Sequence, residues 1–243
     1  MPKANIGLGG KWAIGAGFSA LMQAGTDAKS VSTGRPKIPK ITPAKSCARS
    51  IGALTNMKPK MKTYEFCVVA SGLDPDAEDF ESRFYDAGCD DAAIAFQRGR
   101  IIADFDREAE TLEEAIATAV EAVTKAGAKV IRIEPDPLVS LADMAGRSGL
   151  TRAAMTNYSK GKRGENFPPP VAKATSESPL WEWASVARWL YEHRKIGREV
   201  AIAAETFRQA NEAVRNGEVH IRPRLKQRAK QYAIELNRER SAA

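Results

Sequence analysis

The sequence predicts an α+β protein in which a small antiparallel sheet domain is followed by a series of helices. Three observations support this prediction: β-prone runs alternate with helical patterns over residues 61–137, two short capped helices are expected over residues 138–160, and longer helical patterns continue towards the C-terminus. Apolar residues at 43% and charged residues at 28% lie near the averages of globular proteins, so a buried core is expected.

Residues 61–137 carry six elements in the order strand, helix, strand, strand, helix, strand. They are expected at residues 64–70, 76–87, 92–96, 101–105, 111–125 and 129–133. Gly88 and Gly127 end the two helices, and Thr111 caps the second one. This order is that of a small ferredoxin-like βαββαβ domain, in which two helices cover one face of an antiparallel sheet.

The open face of that sheet is expected to be acidic. If the apolar residues of the third strand point at the helices, alternation places Ile102, Asp104 and Asp106 on the open face. An RNA-binding sheet needs aromatic side chains and positive charge on this face. RNA binding therefore stays an alternative of low weight, and a protein partner or small ligand on residues 61–137 is a further possibility.

Charge is distributed unevenly along the chain. Residues 1–60 have a net charge of +9, residues 61–137 of −10, residues 138–193 of +2 and residues 194–243 of +6. Because a negative field repels phosphates, binding of a polyanion is expected outside the acidic region.

Residues 1–60 are rich in Gly, Ala, Lys and Pro without regular apolar spacing, which predicts disorder or a mis-assigned N-terminal extension. Met57 and Met61 stand just before the first strand, so translation is expected to start at one of them. Intact-mass measurement of protein expressed from its native locus would contradict this by detecting a product that carries residues 1–56.

No catalytic or metal-binding arrangement is expected, and neither is a cofactor. The three cysteines lack zinc-ligand spacing and cannot all pair, and the chain has only two histidines. The longest weakly polar stretch, residues 12–25, is too short and too interrupted to cross a bilayer. These features favour a non-enzymatic protein of the reducing cytoplasm.

Two short helices with a tight turn are expected between residues 138 and 160. Ser140 can cap the first helix, Gly149 suits the turn, and Thr151 can cap the second helix. Five apolar residues can form the shared core of the two helices: Leu141, Met144, Leu150, Met155 and Tyr158.

This spacing resembles that of bacterial helix-turn-helix repressors, and the resemblance implies that the second helix enters the major groove of DNA. Arginine can bind guanine through two hydrogen bonds, asparagine can bind adenine, and Thr or Ala can contact the thymine methyl group. Basic residues just after the helix can hold phosphates. The expected DNA-binding residues are Thr151, Arg152, Ala154, Thr156, Asn157, Lys160, Lys162, Arg163 and Lys173.

A Pro-rich segment at residues 167–181, which includes Lys173, is expected to form a short two-stranded wing. A helix with Val186, Trp189 and Leu190 on one face follows and should complete the small core, with the tryptophans buried. The helix-turn-helix motif is thus followed by a wing and then by an aromatic helix. This order resembles that of the winged excisionase-like domains of AlpA-type and MerR-type regulators. The resemblance covers residues 138–192.

Residues 193–243 are expected to form a basic helical extension. Their apolar stripe has the spacing of a short coiled coil, or of a face that docks on the chain's own core; its members are Val200, Ala203, Phe207, Ala210 and Val214. A dense basic run at residues 222–230 can contact DNA backbone or remain solvated.

Together these features predict a cytoplasmic, nucleoid-associated regulator that binds double-stranded DNA sequence-specifically. We expect a repressor that acts as a homodimer on palindromic operators with half-sites about 34 Å apart. One alternative is a DNA-binding antitoxin or recombination accessory protein whose acidic domain holds a protein partner. The RNA-binding protein considered above is the other.

Overall fold

The computed structural model describes residues 60–242, and the expectations for residues 1–59, including a start at Met57, lie outside this range. The described chain is mixed α+β. In chain order its elements are β1 (Lys62–Ser71), α1 (Phe80–Ala87), β2 (Ala92–Gln97), β3 (Arg100–Ala109), α2 (Leu112–Lys125), β4 (Lys129–Glu134), β5 (Leu138–Val139), α3 (Leu141–Ser148), α4 (Arg152–Ser159), β6 (Trp181–Glu182), α5 (Trp183–Glu192), α6 (Arg198–Arg215) and α7 (Arg222–Ala242).

The first four strands form one antiparallel sheet in the order β2-β3-β1-β4. β3 lies between β1 and β2, and the far side of β1 pairs with β4. The expected hairpin of β2 and β3 is confirmed, and Arg98 and Gly99 close it with positive φ angles of 52° and 75°. Positive φ at both central residues is the geometry of a type I′ turn, whose twist matches that of the two strands.

The two faces of β3 differ as the sequence predicts. The apolar side chains that point at the helices, Ile101, Ala103 and Phe105, are buried. Asp104 and Asp106 are exposed on the opposite face, beside a half-buried Ile102. The acidic open face is therefore confirmed.

The expected helix ends are confirmed except at the start of α1. Thr111 caps α2 by accepting a hydrogen bond from the Glu114 N–H at 3.3 Å, and Gly88 ends α1 at a φ of 94°. α1 begins at Phe80 rather than at residue 76, because the preceding residues form turns in which the Phe80 N–H donates to the Ala77 carbonyl.

The outer edge of β4 is closed by a side chain of α6. Asn211 is buried, and its Oδ1 accepts from the Ile133 N–H at 2.9 Å while its Nδ2 donates to the Ile133 carbonyl at 2.8 Å. The amide thus takes the place that a neighbouring strand would fill. It fixes α6 against the sheet and satisfies two buried backbone groups.

Asn211→Ala is expected to lower the free energy of unfolding by about 2 kcal/mol, because the Ile133 N–H and carbonyl would stay buried without partners. Urea unfolding followed by circular dichroism measures this change. Asn216→Ala, at the exposed end of the same helix, is the control and should change the value by less than about 0.5 kcal/mol. Equal small effects of both substitutions would contradict the role of Asn211.

The apolar stripe of α6 packs inside the chain, so of the two expected alternatives the structure has the internal contact and not the coiled-coil seam. Ala210 is fully buried in the core of the sheet domain, and Phe207 and Val214 pack against the same core. Val200 packs against the cluster around α3 and α4. These side chains are covered by the chain's own residues and cannot also form a seam with a second copy.

The basic run of α7 is mostly engaged within the chain. Arg222 pairs with Glu114 of α2, and Arg224 pairs with Glu218 at 2.5 Å and with Glu212 at 3.3 Å. The predicted C-terminal extension is helical, but Arg222, Arg224 and Arg228 of its basic run pair with carboxylates of the chain.

One buried carboxylate joins α6 to α7. Glu205 is 3% exposed and accepts hydrogen bonds from Arg208 at 2.7 and 2.9 Å, from Arg228 at 2.8 Å and from Gln209 at 3.2 Å. Arg228 also donates to Glu235 of α7 at 2.9 Å. Burial by itself raises the pKa of Glu205, but the hydrogen bonds and charges of Arg208 and Arg228 outweigh burial and hold this pKa below its ordinary value.

Candidate nucleic-acid interface

The helices α3 and α4 have the caps that the sequence predicts. Ser140 and Asp143 form a capping box, in which the Asp143 N–H donates to Ser140 Oγ at 3.3 Å and the Ser140 N–H donates to Asp143 Oδ2 at 2.9 Å. Gly149 ends α3 at a φ of 70°, and Thr151 caps α4 by accepting from the Ala154 N–H at 3.2 Å. Both ends of the turn between the helices are thereby fixed.

The core that holds α4 in place is also as expected. Met155 and Tyr158 of α4 are buried with Met144 of α3 and the tryptophans of α5, while Leu141 and Leu150 pack at its border. The opposite side of α4 is therefore directed away from the protein.

The outward face of α4 presents polar side chains. Arg152, Ala153 and Asn157 are exposed, and Thr151 is exposed just before the helix. Thr156 is half-buried and its Oγ1 donates to the Arg152 carbonyl at 2.9 Å, so its hydroxyl is already engaged within the helix. Arg152 and Asn157 are the two side chains of this face that can read base edges.

Ala154 does not belong to this face, and its predicted role is corrected. It packs against the cluster around Met155 and Tyr158, whereas Ala153 is exposed. With about 100° per residue, Ala153 lies almost opposite the midpoint of the two buried residues, whereas Ala154 lies about 70° from it, on the flank of the buried side. That calculation would have placed Ala153 on the outer face from the sequence alone.

The segment after α4, residues 160–163, forms a turn that we call the basic turn. Its backbone follows a Schellman motif: the Gly161 N–H donates to the Tyr158 carbonyl at 3.0 Å, and the Lys162 N–H donates to the Asn157 carbonyl at 2.9 Å. Gly161 has a φ of 66°, as this motif requires. Lys160, Lys162 and Arg163 are all exposed on the turn.

Aromatic side chains fix the chain that leaves the basic turn. The Arg163 guanidinium lies 6.0 Å from the centre of the Tyr158 ring. Trp189 Nε1 donates to the Glu165 carbonyl at 2.8 Å, and Trp181 Nε1 donates to the Pro168 carbonyl at 3.1 Å. The expected burial of the tryptophans is confirmed, and their indole N–H groups hold the backbone after the turn in one position.

Gly164 is a residue whose importance the sequence does not reveal. Its φ is 76°, and a Cβ atom there would lie 2.7 Å from Cζ2 of Trp189. Only glycine lets the chain pass this close to the indole ring. Gly164 and Trp189 are 25 positions apart in sequence, so no local pattern indicates the contact.

The predicted two-stranded wing is reduced to one bridge. Ala172 and Leu180 form an isolated antiparallel bridge, and Trp181 pairs instead with Val139 in the short sheet of β5 and β6. Lys173 is exposed on the intervening loop at a φ of 50°. No contact between Lys173 and the basic turn is present among the described residues.

Arg147 of α3 does not join the outward face of α4. Its guanidinium lies 5.8 Å from the Trp183 ring, and its Nη1 is buried. Burial lowers the pKa of Arg147, while the nearby carboxylates of Asp143, Asp136 and Glu134 act in the opposite direction. Arg147 therefore contributes to packing.

The described cysteines are poor nucleophiles. Burial, followed by the nearby Asp104 carboxylate, raises the pKa of Cys67 to about 12. Burial also raises the pKa of Cys89 to about 11, against the opposing charge of Arg107. Both thiols are protonated at neutral pH, so neither is activated for catalysis.

Comparison of the chain with models of protein families, with curated proteins and with solved structures finds no match. Among residues 60–242, none of the helices has the length and apolar character needed to cross a bilayer.

Proposed function

We propose that this chain binds double-stranded DNA through α4 and the basic turn, and that it regulates transcription in the nucleoid of the cytoplasm. The observation that carries the proposal is the division of α4 into two sides. Met155 and Tyr158 are buried, while Arg152 and Asn157 are exposed on a helix whose start and end are both fixed. Such a helix can present base-reading side chains in a defined orientation.

The basic turn supports the same function through charge. Lys160, Lys162 and Arg163 follow the reading helix immediately and are exposed, so they can neutralise phosphates beside the groove that α4 would enter. The local cluster matters because residues 138–193 have a net charge of only +2.

The proposal includes the finer fold assignments. The strand order β2-β3-β1-β4 with two helices on one face is consistent with a ferredoxin-like domain. The helix pair with α5 behind it is consistent with an excisionase-like helix-turn-helix module, although its wing is one bridge. A repressor that occupies palindromic sites as a homodimer is the mode of action we propose, since one small module buries little surface for specificity.

Arg152→Ala and Asn157→Ala are each expected to weaken binding to the selected site by about 1–3 kcal/mol and to leave binding to random duplex nearly unchanged. Lys162→Ala is expected to weaken both complexes alike and to reduce the slope of log K against log salt by about 0.9. Selection from a random duplex library supplies the site, and titration by fluorescence anisotropy at several salt concentrations measures the affinities.

Lys129→Ala is the matched control, because it removes the same charge from an exposed position at the start of β4. It should leave both affinities unchanged. Equal losses on selected and random DNA for Arg152→Ala, Asn157→Ala and Lys162→Ala would contradict base reading by α4.

A second function is favoured by the acidic open face of the sheet. Glu65, Asp104 and Asp106 are exposed there in neighbouring register positions, which suits a basic protein partner. We therefore retain a DNA-binding antitoxin or recombination accessory protein as the alternative. The same face disfavours the RNA-binding alternative, because its carboxylates repel phosphates. Co-purification of a small basic protein encoded next to this chain would support the second function.

A further inference from the structure

The two edges of the sheet differ in whether another part of the chain covers their backbone groups. Asn211 occupies the edge of β4 at Ile133, as described above. The opposite edge, β2, has no neighbouring strand among the described residues. β2 has the sequence AAIAFQ, without charge, proline or bulge, and so lacks the features with which edge strands avoid pairing.

The backbone groups that β2 offers can be identified from its register. The Asp106 N–H donates to the Asp91 carbonyl at 3.1 Å, and the type I′ turn makes Gln97 and Arg100 a hydrogen-bonded pair. Odd-numbered residues of the strand therefore bond to β3. The N–H and carbonyl groups of Ile94 and Phe96 point outward, as does the Ala92 carbonyl, whereas the Ala92 N–H donates to Cys89.

Apolar side chains accompany this edge. Phe96 is 47% exposed, and Tyr85 of the neighbouring helix α1 is 70% exposed. Ala92 and Ile94 line an open groove between α1 and β2, together with Tyr85. Exposed aromatic residues beside an unpaired strand mark a surface that gains from being covered.

We propose that β2 pairs antiparallel with β2 of a second copy of this chain, around a two-fold axis at Ile94. In this register Ile94 faces Ile94 of the second copy, and Ala92 faces Phe96 of the second copy, so a small residue meets a large one. The outward backbone groups then meet each other. A continuous sheet crosses the dimer, with α1 and α2 of both copies on the same side.

Charge complementarity selects the second copy as the occupant. Asp90 lies in the turn just before the strand and Arg98 in the turn just after it. In the same register the turn that carries Asp90 comes next to the turn that carries Arg98 of the second copy, and the two-fold axis repeats this arrangement at the other end. Both side chains are exposed, and neither has an ion-pair partner within residues 60–242. Antiparallel self-pairing thus places opposite charges together at both ends of the strand.

The inference rests on the homodimer of the proposed function and deepens it by naming the contact, and association through β2 can be measured without DNA. It replaces the α6 seam, which packs inside the chain, as the source of two-fold symmetry. Loss of DNA binding with intact dimerisation would refute DNA binding through α4 and leave this proposal standing. A monomer that binds DNA would refute this proposal and the homodimer mode of action, but not DNA binding through α4.

The first test is sedimentation of the wild-type chain and of Phe96→Pro over a wide concentration range. The wild type is expected to sediment as a dimer at high concentration. Proline removes the outward N–H of Phe96 on both copies and leaves the bonds to β3 intact, so the variant should be monomeric with a thermal stability close to that of the wild type. A monomeric wild type, or a dimer that Phe96→Pro preserves, would overturn the proposal.

The second test uses charge reversal and does not depend on the proline variant folding. Asp90→Arg alone places Arg opposite Arg, and Arg98→Asp alone places Asp opposite Asp, so each variant should self-associate about tenfold or more weakly than wild type. In an equimolar mixture, Asp90→Arg carries Arg at both positions and Arg98→Asp carries Asp at both positions. Opposite charges therefore meet at both ends of the strand in the mixed dimer. Restored dimerisation in the mixture would support the register. Two results would contradict it: unchanged self-association of the single variants, or a mixture that associates no more tightly than either variant alone.

Discussion

Glu205→Ala is expected to lower the free energy of unfolding by about 3 kcal/mol, the largest effect of any single ion-pair substitution considered for this chain. The carboxylate is 3% exposed and accepts from both Arg208 and Arg228. Its removal would leave the half-buried guanidinium of Arg228 with Glu235 as its one acidic partner among residues 60–242. An uncompensated charge at the α6–α7 contact destabilises more than the lost Coulomb attraction alone.

Urea unfolding followed by circular dichroism measures the loss. Glu212→Ala is the matched control, because Glu212 pairs with Arg224 at 3.3 Å but its side chain is 41% exposed. Its removal should change the free energy of unfolding by less than about 1 kcal/mol. Equal stability of the two alanine variants would contradict the expected contribution of the buried Glu205 carboxylate to the free energy of unfolding.

The contribution of Glu205 is also expected to depend on pH. Its pKa is lower in the folded chain than its ordinary value of about 4.3. A lowered folded-state pKa stabilises the protein above the unfolded-state pKa, and this stabilisation disappears as the pH falls through the folded-state pKa. The stability difference between wild type and Glu205→Gln should be constant near neutral pH and shrink at pH values below about 4. A difference that grew on acidification would contradict the sign.

The sheet domain could be predicted from the sequence because its signals are local. Thr111 and Gly88 mark helix ends through their own conformational preferences, and alternation along β3 separates Phe105 from Asp104. The packing of α6 could not be predicted in this way. The same apolar spacing serves a coiled coil or an internal contact. What distinguishes them is packing between residues far apart in sequence, such as the bond from Asn211 to Ile133, 78 residues away.

The candidate interface was predictable to a similar degree. Its caps and buried residues follow from local spacing. The wing is reduced to one bridge, and Trp181 pairs with Val139, a residue that precedes both helices. The role of the arginines of α7 was likewise ambiguous, because the sequence of a basic run does not show which carboxylates surround it in the fold. The sequence left open whether this run contacts DNA or stays solvated, and it did not indicate that Arg222, Arg224 and Arg228 pair with carboxylates of the chain.

Gly164→Ala is expected to lower the free energy of unfolding by about 3 kcal/mol and to weaken DNA binding. The residue has a φ of 76°, which is strained for alanine, and the added Cβ would lie 2.7 and 2.8 Å from two atoms of Trp189. Trp189 is buried and cannot move without disturbing Tyr158, whose ring centre is 5.0 Å away. Relief of the clash must displace the chain that holds Lys162 and Arg163.

Gly161→Ala separates backbone strain from the clash. Gly161 also has a positive φ, 66°, but nothing lies within 4 Å of the position of its Cβ. The free energy of unfolding of the Gly161→Ala variant should be only about 1 kcal/mol below that of wild type, because the left-handed backbone conformation is its one source of strain. Thermal unfolding and anisotropy titrations on selected and random duplex compare the two variants, and both variants keep every charged side chain. A larger loss of affinity for Gly164→Ala on both kinds of DNA would link the packing of Trp189 to the position of Lys162 and Arg163. Equal behaviour of the two variants would show that the contact with Trp189 does not hold the basic turn.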